Sequence, residues 1–220
     1  MSDRPEIPAG EFSAWLDATL PALASGGASD VPCGECNACC RSAMFVHIGP
    51  GETSTLAQVP HDLRFPAPGL PDGHVLLGHD EQGRCPMLAG DECSIYAHRP
   101  RTCRAFDCRV YAAAGVVPEQ PAIAERVARW VFHYATPSAR ERHEAVLAAA
   151  RLLRERAANA TGEAGRMAPT EIALRALQLH PELLPGGEGE ARTPSLSPAE
   201  AIEAALRARR EREREQVRVR

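Results

Sequence analysis

The octapeptide CGECNACC (33–40) places four of the chain's eight cysteines within eight positions. Thiols this dense must be held apart, paired or bound to metal, so this segment restricts the fold more than any other. In C-x2-C, two thiolates share a tight turn whose backbone N–H groups can bond the sulfurs. That is the usual half-site for tetrahedral zinc or for one edge of an iron–sulfur cluster. Two such units overlap here and give Cys33, Cys36 and Cys39, a tripod suited to three irons of a [4Fe–4S] cluster with the fourth ligand from elsewhere. Cys40 stands apart from that tripod. Neighbouring side chains of an extended chain point to opposite faces, so Cys39 and Cys40 are not expected to ligate one simple zinc ion together.

The remaining cysteines, Cys85, Cys93, Cys103 and Cys108, are separated by seven, nine and four residues. Four plus four matches two sites of four thiolates each, and a single cluster with spare thiols fits as well. The alternative to metal is a disulfide scaffold. The N-terminus, MSDRPEIPAGEFSAW, lacks a basic start followed by an apolar run, and no apolar stretch approaches a bilayer span. The expectation is therefore a soluble, cytoplasmic protein, and in that reducing compartment clustered cysteines more often mean metal than disulfides.

At 220 residues, with 44% apolar and 25% charged residues, the chain can bury one main core. Its net charge of −4 gives no pull toward nucleic acid or an anionic membrane. The partners to expect are a metal ion and a protein partner or protein substrate. All basic residues are Arg and none is Lys, which reads as coding bias before function.

Along the chain, Phe12, Trp15, Leu16, Leu20 and Leu23 fall at helical spacing, with Pro21 disturbing the last turn, and ASGGASD (24–30) reads as a joint. Residues 31–112 form the expected cysteine domain. Within it AMFVHI, HVLLGH, RCPML and CSIY are short apolar stretches bounded by turn residues, which predicts a small irregular β-meander stabilised by metal. Beyond Cys108, residues 113–180 read as helices packing on that domain. Ile123, Val127, Trp130, Val131 and Tyr134 predict one amphipathic helix. Thr136 and Pro137 predict the cap and first turn of a second, carrying Val146, Leu147, Ala150 and Leu153. A third starts near Thr170 with Ile172, Ala176 and Leu179 inward. Residues 181–220 comprise a linker, a helix capped by Ser197, and a charged tail expected to be a solvated helix. The fold class expected is thus α+β.

CGECNACC, then CPML, then CSIYAHRPRTCRAFDC resembles the CxxCxxCC family of zinc- or iron-chelating proteins, also called YkgJ-like cysteine-cluster proteins. The resemblance covers about residues 31–110. It implies Cys33, Cys36, Cys39, Cys40, Cys85, Cys93, Cys103 and Cys108 as metal ligands, with zinc or iron, including a [4Fe–4S] cluster, as cofactor. The family also looks related to flagellin lysine methylases that carry an iron–sulfur cluster.

Other residues of the pattern have physical readings. Arg99, Arg101 and Arg104 could offset thiolate charge or bind an anionic substrate, and ion pairs with Asp91, Glu92 or Asp107 explain them equally well. Tyr96 is expected in the core with its hydroxyl bonded. His98 and Asp107 are expected beside the ligands, while His47, His61, His74, His79 and His133 match no metal spacing and are read as packing or surface residues. No phosphate-binding loop, dinucleotide fingerprint, zinc-protease motif or haem-attachment motif is present. Three functions follow: a metal-binding module without chemistry of its own, favoured because the specificity lies in ligands; an iron–sulfur enzyme, with methyl transfer to protein as the reaction the resemblance implies; and an electron carrier, to which the single irregular cysteine run is poorly suited.

Overall fold

Proline and glycine interrupt the chain so often between Gly49 and Gly90 that no long element can form there, and the strands of this region are short. The computed structural model describes residues 5–25, 27, 29, 31, 36–159, 167–184, 200, 203–208 and 211. Cys33, the linker at 185–198 with the Ser197 cap, and most of the charged tail lie outside the described residues. The fold is α+β, and the chain forms two compact units. One comprises Met1–Ala9, Asp17–Arg109 and Pro118–Trp130, the other Gly10–Leu16, Val110–Val117 and Val131–Arg220.

The chain opens with β1 (Ile7–Glu11) and α1 (Phe12–Ser25). Pro21 is accommodated inside α1, and the Ser25 hydroxyl closes the last turn by donating to the Pro21 carbonyl at 2.9 Å. In the first unit follow β2 (Val46–Ile48), α2 (Thr53–Gln58), β3 (Arg64–Pro66) and β4 (Val75–Leu77). The three strands form an antiparallel sheet in the order β2-β4-β3, with Val46 opposite Leu77 and Arg64 opposite Leu77 on the other edge. A meander would have kept the strands in sequence order. Here β3 and β4 pair as a hairpin across the Pro- and Gly-rich turn at 67–74, and β4 also takes β2, which leaves β4 central. Ile48, Val59, Leu77, Met87 and Ile95 make the apolar cluster of this unit.

A second hairpin, β5 (Leu88–Ala89) and β6 (Glu92–Cys93), turns through Gly90, whose φ of 62° suits glycine. Then come α3 (Arg101–Ala105), α4 (Arg109–Ala114) and α5 (Pro121–Val127). The expected single helix through Tyr134 is not found. Helix α5 ends at Val127, and residues Trp130–His133 form β7, which pairs with β1. In β7 Trp130 and Phe132 are buried while Val131 and His133 are exposed, a period of two that aromatic and β-branched residues favour in strands.

In the second unit, Phe12 stacks on His143 with ring centroids 4.2 Å apart and meets Phe132 edge-on at 5.2 Å. Helix α6 (Pro137–Asn159) starts as its sequence predicts: the Thr136 hydroxyl accepts the Ala139 N–H at 3.1 Å, and Pro137 fills the first turn. Its buried stripe, Ala145, Val146, Ala149, Ala150 and Leu153, is rich in alanine, so α7 (Pro169–Leu179) can approach closely with Ile172, Ala173, Ala176 and Leu177. Residues 203–208 are helical, with Leu206 buried. Among the described residues no helix is long and apolar enough to cross a membrane.

Candidate metal centre

The seven described cysteines all belong to the first unit. Cys39 and Cys40 open a single 3₁₀ turn, Cys39–Arg41, which follows the overlapping C-x2-C run. The turn is held locally by the Ser42 hydroxyl donating to the Ala38 carbonyl at 2.6 Å. A side-chain clamp then joins it to the β5–β6 hairpin. The Arg41 guanidinium donates to the Asp91 carboxylate at 2.8 Å, and the Asn37 amide donates to the same oxygen at 3.0 Å. The clamp is solvent-exposed, so its contribution is more to position than to stability.

Backbone contacts bring the later cysteines to Cys40. The N–H of Cys85 donates to the Cys40 carbonyl at 2.7 Å, and, three residues after Cys40 and two before Cys85, the Ala43 N–H donates to the Gly83 carbonyl at 2.8 Å. The two chains are very close at this crossing. A Cβ at Gly83, where φ is 74°, would stand 3.2 Å from the Ala43 Cβ, and Ala43 itself has a φ of 50°. Left-handed backbone in alanine costs about 1 kcal/mol, a strain sited three residues from Cys40.

Cys85 and Cys93 are joined through the hairpin: Leu88 pairs with Cys93, and the Leu88 N–H donates to the Cys85 carbonyl at 3.0 Å. Both cysteines pack against the Ile48, Leu77, Met87 and Ile95 cluster. Cys103 comes from α3, which Thr102 fixes to β2 by donating its hydroxyl proton to the His47 carbonyl at 2.8 Å. The other end of this region is fixed by the fully buried Thr55, whose hydroxyl donates to the His98 carbonyl at 2.7 Å.

The electrostatics place four thiols in one neighbourhood. Burial, and then the nearby Cys40, Cys85 and Cys93, push the Cys103 thiol up to about 12, with Arg99 acting in the opposite sense. Cys103 is nonetheless exposed by surface area. Solvent therefore reaches its sulfur while the three thiols disfavour its charged form. Burial also raises Cys85, whose sulfur receives the Met87 N–H and is further raised by Cys93. Four thiolates so close repel one another, and a cation relieves that repulsion. Among the described residues, no three side chains of His, Cys, Asp or Glu are arranged as a ready metal site. The thiols are neighbours without being closed around a common point.

Cys108 has a different setting. It is buried beside the ion pair of Asp107 and Arg109, in which the Arg109 guanidinium donates to the Asp107 carboxylate at 2.8 Å and to the Ala9 carbonyl at 3.1 Å. Ser29 donates to the same carboxylate at 2.8 Å. The Trp130 indole N–H donates to the Cys108 sulfur at 3.1 Å. Cys36 is partly buried on the approach to the 3₁₀ turn.

Several expectations for the surrounding residues change. Tyr96 is exposed, and the Arg99 guanidinium lies over its ring at 3.9 Å. The turn Tyr96–His98 buries none of its residues. The acid partners differ as well: Asp91 is taken by Arg41 and Asp107 by Arg109, while the main-chain N–H of Arg101 donates to Glu52 at 2.6 Å. Two histidines read as separate are joined, His47 Nε2 standing 2.9 Å from His74 Nδ1. Asn37 and Arg41 carry no spacing signal, Asp91 is expected only as a partner for the later arginines and Trp130 only as a helix residue, and nothing in the sequence links Trp130 to Cys108 across 22 residues.

These features define a small thiol-rich α+β unit whose cysteines are gathered from a 3₁₀ turn, a hairpin and a short helix. Residues 32–120 match the CxxCxxCC family, described as "Putative zinc- or iron-chelating domain". No curated protein and no solved structure matches the chain.

Proposed function

We propose that this protein chelates zinc or iron through its cysteines, and that Cys40, Cys85, Cys93 and Cys103 form one four-thiolate centre. The observation that carries the reading is the meeting of three chain segments at Cys103, with the Cys40 carbonyl already bonded to the Cys85 N–H. The donor set fits the metal. Soft thiolates select zinc, iron–sulfur centres or Cu(I) over magnesium and calcium, and the family description names zinc or iron. Closing the site requires side-chain rotation that brings the sulfurs to about 2.3 Å from a common zinc ion, a change the exposed Cys103 and partly buried Cys40 accommodate.

The remaining thiols, Cys33, Cys36, Cys39 and Cys108, match in number a second centre or the rest of a cluster. A reducing, cytoplasmic setting is part of the same reading, since thiolate ligands must stay reduced. Bound metal would supply folding energy to a unit whose hairpins are too short to be stable alone. The test is elemental analysis and acid-labile sulfide on protein purified without oxygen. Stoichiometric zinc without sulfide supports a structural or metal-handling module. Iron with sulfide supports a cluster, and neither metal at stoichiometric level contradicts the proposal.

A further inference from the structure

Tyr134 and His143 meet in the second unit, outside the segment 32–120 that carries the family match. The Tyr134 hydroxyl lies 2.7 Å from His143 Nδ1, and His143 Nε2 lies 3.0 Å from the Ala113 carbonyl oxygen. A carbonyl oxygen only accepts, so Nε2 carries the ring proton and Nδ1 offers its lone pair. The phenol is therefore the donor, its proton aimed at a base whose tautomer the backbone fixes. Burial holds the imidazole below its ordinary 6.5, so at neutral pH it is uncharged and able to take that proton. The Arg140 guanidinium carbon stands 4.7 Å from the Tyr134 ring centroid, and a cation there favours the phenolate. Nucleophile, base and a group that orients the base are the parts of an activated nucleophile.

Neither of the chain's other two tyrosines has this base. Tyr111 is buried and bonded to Thr170 Oγ1 at 2.7 Å. Tyr96 is 61% exposed with Arg99 over its ring at 3.9 Å, yet no imidazole meets its hydroxyl among the described residues. Tyr96 and Tyr134 thus share the cation and differ in the base. Phe12 walls the dyad, its ring centroid 4.2 Å from that of His143 and 6.4 Å from that of Tyr134. An apolar wall suits a neutral, planar acyl group better than a phosphoryl dianion, whose charge would lose water there. The chain has no lysine, so no side-chain amine competes for an activated acyl group.

We propose that Tyr134, His143 and Arg140 form an acceptor site for activated acyl groups, such as those of mixed anhydrides, thioesters or acyl azoles. The Tyr134 oxygen bonds to the acyl carbon, the bond from that carbon to its leaving group breaks, and the leaving group departs with the electron pair. The phenol proton passes to His143 Nδ1, and nothing is oxidised or reduced. No part of this chemistry draws on the thiols or on a metal.

The full chain is treated with N-acetylimidazole, and acetylation at each tyrosine is timed by peptide mass mapping. Tyr134 is expected to react at least about 10-fold faster than the more exposed Tyr96, because a positioned base contributes roughly 10²- to 10⁴-fold. His143→Gln can still bond Ala113 and Tyr134 but cannot take the proton. It should bring Tyr134 to the Tyr96 rate or below and leave Tyr96 unmoved. Arg140→Met, at an exposed position, should slow Tyr134 by a smaller factor. A merely structural Tyr134–His143 bond gives the opposite order, with Tyr96 reacting first. That order, or a folded His143→Gln chain acetylated at Tyr134 as fast as wild type, overturns the proposal. The wild-type ratio needs no variant, so the test stands even where His143→Gln does not fold.

Discussion

The main-chain N–H of Cys85 donates to the carbonyl of Cys40 at 2.7 Å. This bond joins the cysteine run to the segment 45 residues later and fixes the starting points of two of the three thiols that gather near Cys103. It makes the thiol neighbourhood a product of backbone pairing.

The crossing beside that bond predicts a pair of opposite substitutions. Ala43 occupies left-handed backbone, so Ala43→Gly should stabilise the first unit by up to about 1 kcal/mol. Gly83→Ala needs a Cβ 3.2 Å from that of Ala43 and a left-handed alanine besides, and should destabilise by more than about 1 kcal/mol. Chemical denaturation of both variants checks the pair. Equal effects would mean that the two chains are not in close contact there.

The thiol of Cys103 predicts an alkaline loss of stability in metal-free protein. Its folded value is pushed up to about 12 from an ordinary 9.0. As pH rises past 9.0 the unfolded chain gives up this proton while the folded chain keeps it, so the unfolded state gains. The contribution is therefore complete below pH 9.0 and is lost progressively toward pH 12. Thermal melts between these limits should fall more steeply for wild type than for Cys103→Ser.

His143 predicts the reverse dependence in the second unit. Burial lowers its pKa from 6.5, against the Ala113 carbonyl and Glu144, which raise it. The unfolded histidine takes up a proton first as pH falls, so this contribution is present above pH 6.5 and lost below it. The ring is stacked on Phe12 and bonded to the Tyr134 hydroxyl at 2.7 Å. His143→Gln should flatten the acid limb of the stability curve, as measured by denaturation at several pH values.

Asp91 predicts a separation of stability from metal retention. It receives Arg41 and Asn37 from the cysteine run, yet its side chain is 81% exposed. Asp91→Ala should cost under about 1 kcal/mol of fold stability while speeding metal transfer to a chelator, since the turn bearing Cys39 and Cys40 loses its tie to the hairpin bearing Cys93. Transfer rates equal to wild type would assign the clamp no part in holding the site.

The parts of the fold legible in the sequence are those where one local signal acts without competition. Thr136 and Pro137 mark the start of α6 because cap and first-turn preferences coincide, and Ile172, Ala176 and Leu179 are buried as their spacing predicts. The stretch 123–134 misleads for a physical reason. Ile123, Val127, Trp130 and Tyr134 satisfy helical spacing, while Trp130, Phe132 and Tyr134 satisfy strand spacing, and pairing with β1 favours the strand from Trp130 onward. The identities of the candidate ligands follow from their spacing and family resemblance. Their grouping does not, because it depends on the Cys40–Cys85 backbone bond and on which face of a hairpin carries Cys93.

The central claim, that the thiols around Cys103 hold metal, is tested most directly by counting metal per chain in wild type and in Cys103→Ser, both purified without oxygen and with their folding checked by circular dichroism. The account predicts zinc or iron at a fixed whole-number ratio in wild type and a clear deficit in the folded variant. Equal metal content in the two, or a wild-type chain that holds none, would contradict it.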